Sequence, residues 1–192
     1  MIDQVYSFVF KALLTEEALD KGGRISRLQM SPALDKDVAD TLCLHLLDPD
    51  KVSRARRMTT AFTAITAFEN SVRELIERKL LEIIGVDWWT KSVPEKIRKK
   101  AESRRDEESK IRWHSARGDS LLNYTEFGDL DSIIRNNWQH FEAHFRSIEW
   151  VCHIIDTLGK SRNVIMHSGD LQNDDFERIG VVIRDWVKQV GI

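Results

Sequence analysis

The chain is 192 residues long, 42% hydrophobic and 31% charged, which supplies apolar material for one packed core and is too much for a disordered chain. Its formal net charge of −2 gives no bulk attraction for nucleic acid, so any such binding has to come from a local patch. Three prolines and nine glycines, set among long stretches of Leu, Ile, Ala, Glu, Lys and Arg, favour helix over sheet and predict an all-α class.

Residues 2 to 19 form a first predicted amphipathic helix, with Ile2, Val5, Tyr6, Val9, Phe10, Leu13 and Leu14 on one stripe and Gly22 and Gly23 as its stop. A second, about Asp35 to Leu47, carries Val38, Leu42, Leu46 and Leu47 and ends in the Asp48-Pro49-Asp50 turn. These elements are expected to make residues 1–50 a helical extension to a main domain over 51–192. From Val52 to Ile84 the spacing of Met58, Phe62, Ile65, Phe68, Val72, Leu75, Ile76 and Ile83 predicts a long core helix, stopped by Gly85. Pro94 opens a strongly charged helix expected to continue to about Trp113 and to face water. Ser115 to Asp131 is expected to be an ordered loop anchored by Tyr124 and Phe127, with a short helical turn starting at Ile133 and Ile134.

From about Asn137, Trp138, Phe141, Phe145, Ile148, Cys152 and Ile155 alternate spacings of three and four and predict one continuous helix. A last helix over Asp174 to Val190, capped by Asn173, contributes Phe176, Ile179, Ile183, Trp186 and Val190. Together these elements predict an antiparallel bundle of four or five helices with a helical N-terminal extension. Cys43 and Cys152 are expected to be reduced core thiols, which suits a cytoplasmic protein. No apolar run approaches the roughly 20 residues of a membrane span, and Asp3, Glu16 and Glu17 are unlike a signal peptide, so no membrane is expected as a partner.

Continued past Ile155, the apolar seam reaches Gly159, Arg162 and Met166, which puts a guanidinium where the pattern asks for a large apolar side chain. Such an arginine is kept for a carboxylate, with Asp156, Asp170 or Asp174 as candidates, or for an anionic ligand. Asn163 and His167 are four apart on one helical face, with Arg162 rotated by about 100° from Asn163. Gly159 offers a point where the helix could bend and aim this strip. An imidazole can move a proton to or from a ribose hydroxyl, a guanidinium fork can hold phosphate, and a carboxamide can orient either. That combination suits cleavage of an RNA phosphodiester with no metal or cofactor.

The string Arg162-Asn163-Val164-Ile165-Met166-His167 resembles the RxxxxH signature of HEPN domains. Phe68-Glu69-Asn70-Ser71-Val72-Arg73-Glu74-Leu75-Ile76 is similar to the first core helix of the HEPN subfamily found beside PIN nuclease domains and in bacterial defence proteins, and Tyr124-Thr125-Glu126-Phe127-Gly128-Asp129-Leu130 is similar to its central loop. The resemblance covers about residues 55 to 190. It implies a helical bundle that dimerises so that two motifs face one cleft, an endoribonuclease needing no metal, and a role as a toxin or antiphage effector held by an inhibitory or antitoxin partner. Its alternative is a catalytically silent HEPN module for dimerisation, RNA sensing or partner binding. HEPN toxins silenced by a nucleotidyltransferase antitoxin carry Tyr two residues after the His, where this chain has Gly169.

Around this motif, Glu69 and Arg73 have the four-residue spacing of a surface salt bridge, or else support the cleft from a facing helix. Lys91 to Arg117 holds ten Lys or Arg against five Asp or Glu. This is either a solvated helix face or a phosphate-tracking surface, whose contacting residues would be Lys96, Lys99, Lys100, Arg104, Arg105, Arg112 and Trp113. His140 and His144 lack the company of a metal site and are expected to be polar decoration beside Phe141 and Phe145.

Overall fold

The computed structural model describes Lys11, Thr15, residues 32–111 and residues 113–190. Apart from Lys11 and Thr15, the helix expected over 2–19 lies outside the described residues. The chain divides into two units, Met1–Val52 and Ser53–Ile192. In the first, α1 spans Pro32–Thr41 and a 3-10 turn spans Leu44–Leu46. The expected helix to Leu47 stops early because Cys43 adopts a left-handed backbone, φ 53°. Cys43 is consequently exposed and is not a core thiol.

The second unit is built on α2, Pro49–Ile84, which enters it at Ser53. Buried Met58, Ala61, Ile65, Phe68, Val72, Leu75, Ile76 and Leu80 form its inner stripe. Phe62 is only half-buried and Ile83 is exposed, because Ala61 and Leu80 hold the corresponding inward positions. Gly85, at φ +85°, ends the helix with its N–H on the Leu81 carbonyl at 3.0 Å. The following α3, Trp88–Ser92, buries Trp88, and α4, Glu95–Glu108, buries only Ile97 and Ala101.

The charged helix therefore stops five residues short of Trp113. The Glu108 carboxylate turns to the returning chain instead, accepting the Arg117 N–H at 2.7 Å and meeting Arg117 Nε at 2.9 Å. Where a loop was expected to reach Asp131, a 3-10 turn over Leu121–Tyr124 leads directly into α5, Phe127–Asn136. Asp129 starts α5 early by accepting the Glu126 N–H at 2.8 Å. Tyr124 and Phe127 are buried, as anchors of this segment.

The regular seam from Asn137 is two helices. A short α6, Trp138–Phe141, is followed by a turn, and α7 then runs Ile148–Met166. Ser147 is extended and its Oγ accepts the Trp150 N–H at 3.2 Å, so a capped helix start interrupts the period. Phe145 stays buried through the break because it lies beside Phe141, Trp150 and Trp186, with ring centroids 5.1 to 6.3 Å apart. α7 continues unbroken through Gly159. A Cβ there would lie 3.4 Å from the Phe127 ring, in van der Waals contact with α5.

The last helix, α8, spans Asn173–Val190 and buries Ile179, Val182 and Trp186. Asn173 is not its cap. Its Oδ1 accepts from Arg57 Nη2 at 2.7 Å, while Asp175 accepts the Gln172 N–H at 2.9 Å at the helix start.

Side-chain contacts fix the directions. Arg162 meets Glu69 and the Leu171 N–H meets Met58 Sδ, so α7 runs antiparallel to α2. Phe68 packs on Trp186 at 5.1 Å and Arg57 on Asn173, so α8 returns parallel to α2. The result is an all-α helical bundle with no strand among the described residues, and none of their helices is long and apolar enough to cross a membrane.

Candidate functional site

The end of α7 is set by backbone geometry that the sequence specifies locally. Ser168 is left-handed at φ 60°, its N–H meets the Ile165 carbonyl at 3.0 Å, and the Gly169 N–H meets the Val164 carbonyl at 2.8 Å. This paired closure is a Schellman cap. It requires glycine at 169, because a Cβ would lie 2.8 Å from Val164 Cγ1 and 3.0 Å from the Val164 carbonyl oxygen. A tyrosine there, as in the nucleotidyltransferase-silenced toxins, would not fit this turn. His167 occupies the C-cap with its ring exposed, and Asn163, one turn earlier, is also exposed.

Arg162 reaches α2. Its Nε lies 3.3 Å from Glu69 Oε2, while Glu69 Oε1 lies 2.6 Å from Arg73 Nη2. Glu69 is buried and Arg73 largely so, with side chains 8% and 12% exposed, so they are no surface bridge; Arg162 is 34% exposed. Arg73 also donates to the carbonyls of Leu122 and Thr125, each at 3.2 Å. One polar chain thus runs from the central turn through Arg73 and Glu69 to the edge of the bundle at Arg162. A single carboxylate between two guanidiniums leaves one positive charge over, and it lies at the exposed end. Of the other expected partners for Arg162, Asp156 pairs with Lys160 at 2.7 Å.

The structure brings Arg162 to Glu69 and Arg73, gives no side-chain contact from Asn163 or His167 to that pair among the described residues, and distributes the basic residues of α4 and the segment after it differently. Lys96 and Lys100 are exposed. Lys99 pairs with Glu95 at 2.6 Å, and Arg105 lies 3.9 Å from Asp106. Arg104 donates to the Tyr124 carbonyl at 2.9 Å and pairs with Glu126, so it holds the same central turn as Arg73. Trp113 is 86% exposed, edge-on to His114, and Arg112 lies outside the described residues. The turn carbonyls of Leu122, Tyr124 and Thr125 escaped sequence reasoning, since no periodicity marks a backbone acceptor.

Cys152 belongs to a separate polar contact joining α7 to α5. Its Sγ donates to Asp131 Oδ1 at 2.6 Å, and Asp131 meets Arg135 Nε at 3.0 Å. Burial, then the hydrogen bond to the Asp131 carboxylate, push the thiol up to about 12.

Comparison with curated proteins and with solved structures gives no match. A family model described as Swt1-like HEPN matches residues 63–191, about two thirds of the chain. That stretch contains both halves of the polar chain, Glu69 and Arg73 on α2 and the Arg162-to-His167 motif on α7. On this match and its helical bundle, the chain belongs to the Swt1-like HEPN family.

Proposed function

We propose that this chain is a metal-independent endoribonuclease of HEPN type, working as a homodimer in which two Arg162-to-His167 motifs form one composite site. The observation that carries the reading is the largely buried Arg73–Glu69 pair behind Arg162. It commits a buried carboxylate and a largely desolvated guanidinium to fixing Arg162 at the edge of the bundle, on the same helix end that carries exposed Asn163 and exposed His167.

In this reading Arg162 holds the scissile phosphate, Asn163 orients it, and His167 takes the proton of the 2′-hydroxyl or gives one to the leaving 5′-oxygen. The 2′-oxygen attacks phosphorus as the bond to the 5′-oxygen breaks, leaving a 2′,3′-cyclic phosphate and a 5′-hydroxyl. Glu69 and Arg73 act through Arg162 and are positioning residues. Exposed Val164 and Met166 in the same turn support the dimer, since a second copy would cover them and shut water out of the motif. Such an activity suits a toxin or antiphage effector restrained by an inhibitory partner.

The test is RNA cleavage by the purified chain in EDTA, with end-group analysis and sedimentation in parallel. Arg162→Ala and His167→Ala are each expected to lower the rate by about 100-fold or more with helicity unchanged. Cleavage at the parent rate by either variant overturns the site. RNA binding without product from the parent chain assigns it instead to the silent-module reading.

A further inference from the structure

A second basic surface lies at the motif's end of the bundle. Between Val52 and Phe68 the sequence holds Arg54, Arg56 and Arg57 and no acidic residue, and all three arginines are exposed. Among the described residues, Arg57 differs from the others in being held. Its Nη2 donates to Asn173 Oδ1 at 2.7 Å, and its guanidinium lies 5.2 Å from the centre of the Phe176 ring. Both partners are neutral, and among the described residues no carboxylate lies within ion-pair distance of it. Nearby Asp175 is engaged by Arg178 at 3.1 Å and by the Gln172 N–H, and Asp174 is exposed.

The position follows from the antiparallel pairing of α7 with α2. Arg162 meets α2 at Glu69 and Leu171 meets it at Met58, so His167 lies along α2 between those two levels. Asn173 lies only six positions after His167, which limits the distance from the imidazole's residue to the Arg57 anchor to about 20 Å of chain. Arg54, three residues before Arg57, is one turn further along the same helix. The basic residues of α4 and the segment after it are answered internally to a greater degree, since Lys99 and Arg104 on the helix and Arg117 beyond it each have a carboxylate partner.

A guanidinium that is fixed in place but not neutralised is suited to a phosphate, because its fork is already oriented and its charge is unspent. We infer that Arg57, with Arg54 beside it, holds the phosphodiester backbone of the RNA strand as it leads to Arg162, Asn163 and His167. The inference rests on the RNA reading proposed above and adds a binding surface on α2 to it.

The experiment uses the full chain carrying His167→Ala, so that RNA stays intact, and a fluorescein-labelled mixed-sequence single-stranded RNA. Binding is followed by anisotropy across a potassium chloride series. Adding Arg57→Gln keeps a donor for Asn173 and removes the charge; the slope of log affinity against log salt is expected to fall by about 0.7, and by roughly 1.4 with Arg54→Gln as well. Asn173→Ala disturbs the same contact without removing charge and is expected to keep the parent slope, which a purely structural role for Arg57 would not produce. An unchanged slope in Arg57→Gln, with thermal unfolding also unchanged, overturns the inference. So does retention of RNA binding alongside loss of binding to polyglutamate, which would assign the surface to an acidic protein partner. If the parent chain cuts no RNA but the Arg57-dependent slope is found, the nuclease reading fails and the RNA surface stands.

Discussion

Glu69 lies between two guanidiniums, and their unequal burial decides what each substitution costs. Glu69→Ala strands Arg73, only 12% exposed, with backbone carbonyls as its remaining partners. The expected loss is about 3 to 5 kcal/mol, seen as a lowered denaturation midpoint. Arg162→Ala leaves the Glu69–Arg73 pair intact and removes a partner that is a third exposed, so its stability cost is expected to stay within about 1 kcal/mol. Equal stability of the two variants would show that Glu69 does not bridge the arginines. Ser168, at φ 60°, bears left-handed strain that glycine would not; Ser168→Gly is expected to stabilise by about 1 kcal/mol, measured as a raised melting temperature. Arg162 was legible in the sequence because it interrupts an apolar seam. Its partner was not, since the nearby aspartates offered the shorter sequence separations and only the fold brings Glu69 opposite.

Among the elements, α2 and α8 were legible because one apolar stripe at helical period runs through each. The break between α6 and α7 was hidden for the converse reason: Phe141, Phe145, Ile148 and Cys152 keep that period across a turn, and Phe145 stays buried against Phe141, Trp150 and Trp186 regardless. The signal that decides it is Ser147, whose hydroxyl competes for the backbone as a cap. Ser147→Ala is accordingly expected to cost about 1 kcal/mol in chemical denaturation; no loss would mean that the N-terminus of α7 does not depend on that cap. The early start of α5 depends on Asp129 reaching back to the Glu126 N–H, a carboxylate in a segment whose Gly, Asp, Ser and Asn content otherwise reads as loop.

Across the whole unit, the Cys152–Asp131 contact couples stability to alkaline pH. In the unfolded chain a thiol ionises near its usual value of about 8.5, whereas the folded thiol is held up to about 12. Between those values the folded state retains a proton that the unfolded state has released, so stability is full below the lower value and is lost as pH rises toward the higher. Cys152→Ala is expected to show a shallower alkaline decline in denaturation midpoint than the parent; parallel curves would remove the thiol from the linkage. A different consequence follows from the Glu108–Arg117 closure, which fastens the base of a surface segment whose Ser115 and Ala116 are exposed. Lengthening an already closed loop costs only about 0.6 kcal/mol per doubling. A peptide epitope or reporter dye grafted between Ser115 and Ala116 would therefore ride on the bundle as cargo, giving a handle for following the chain in cells without touching either arginine surface.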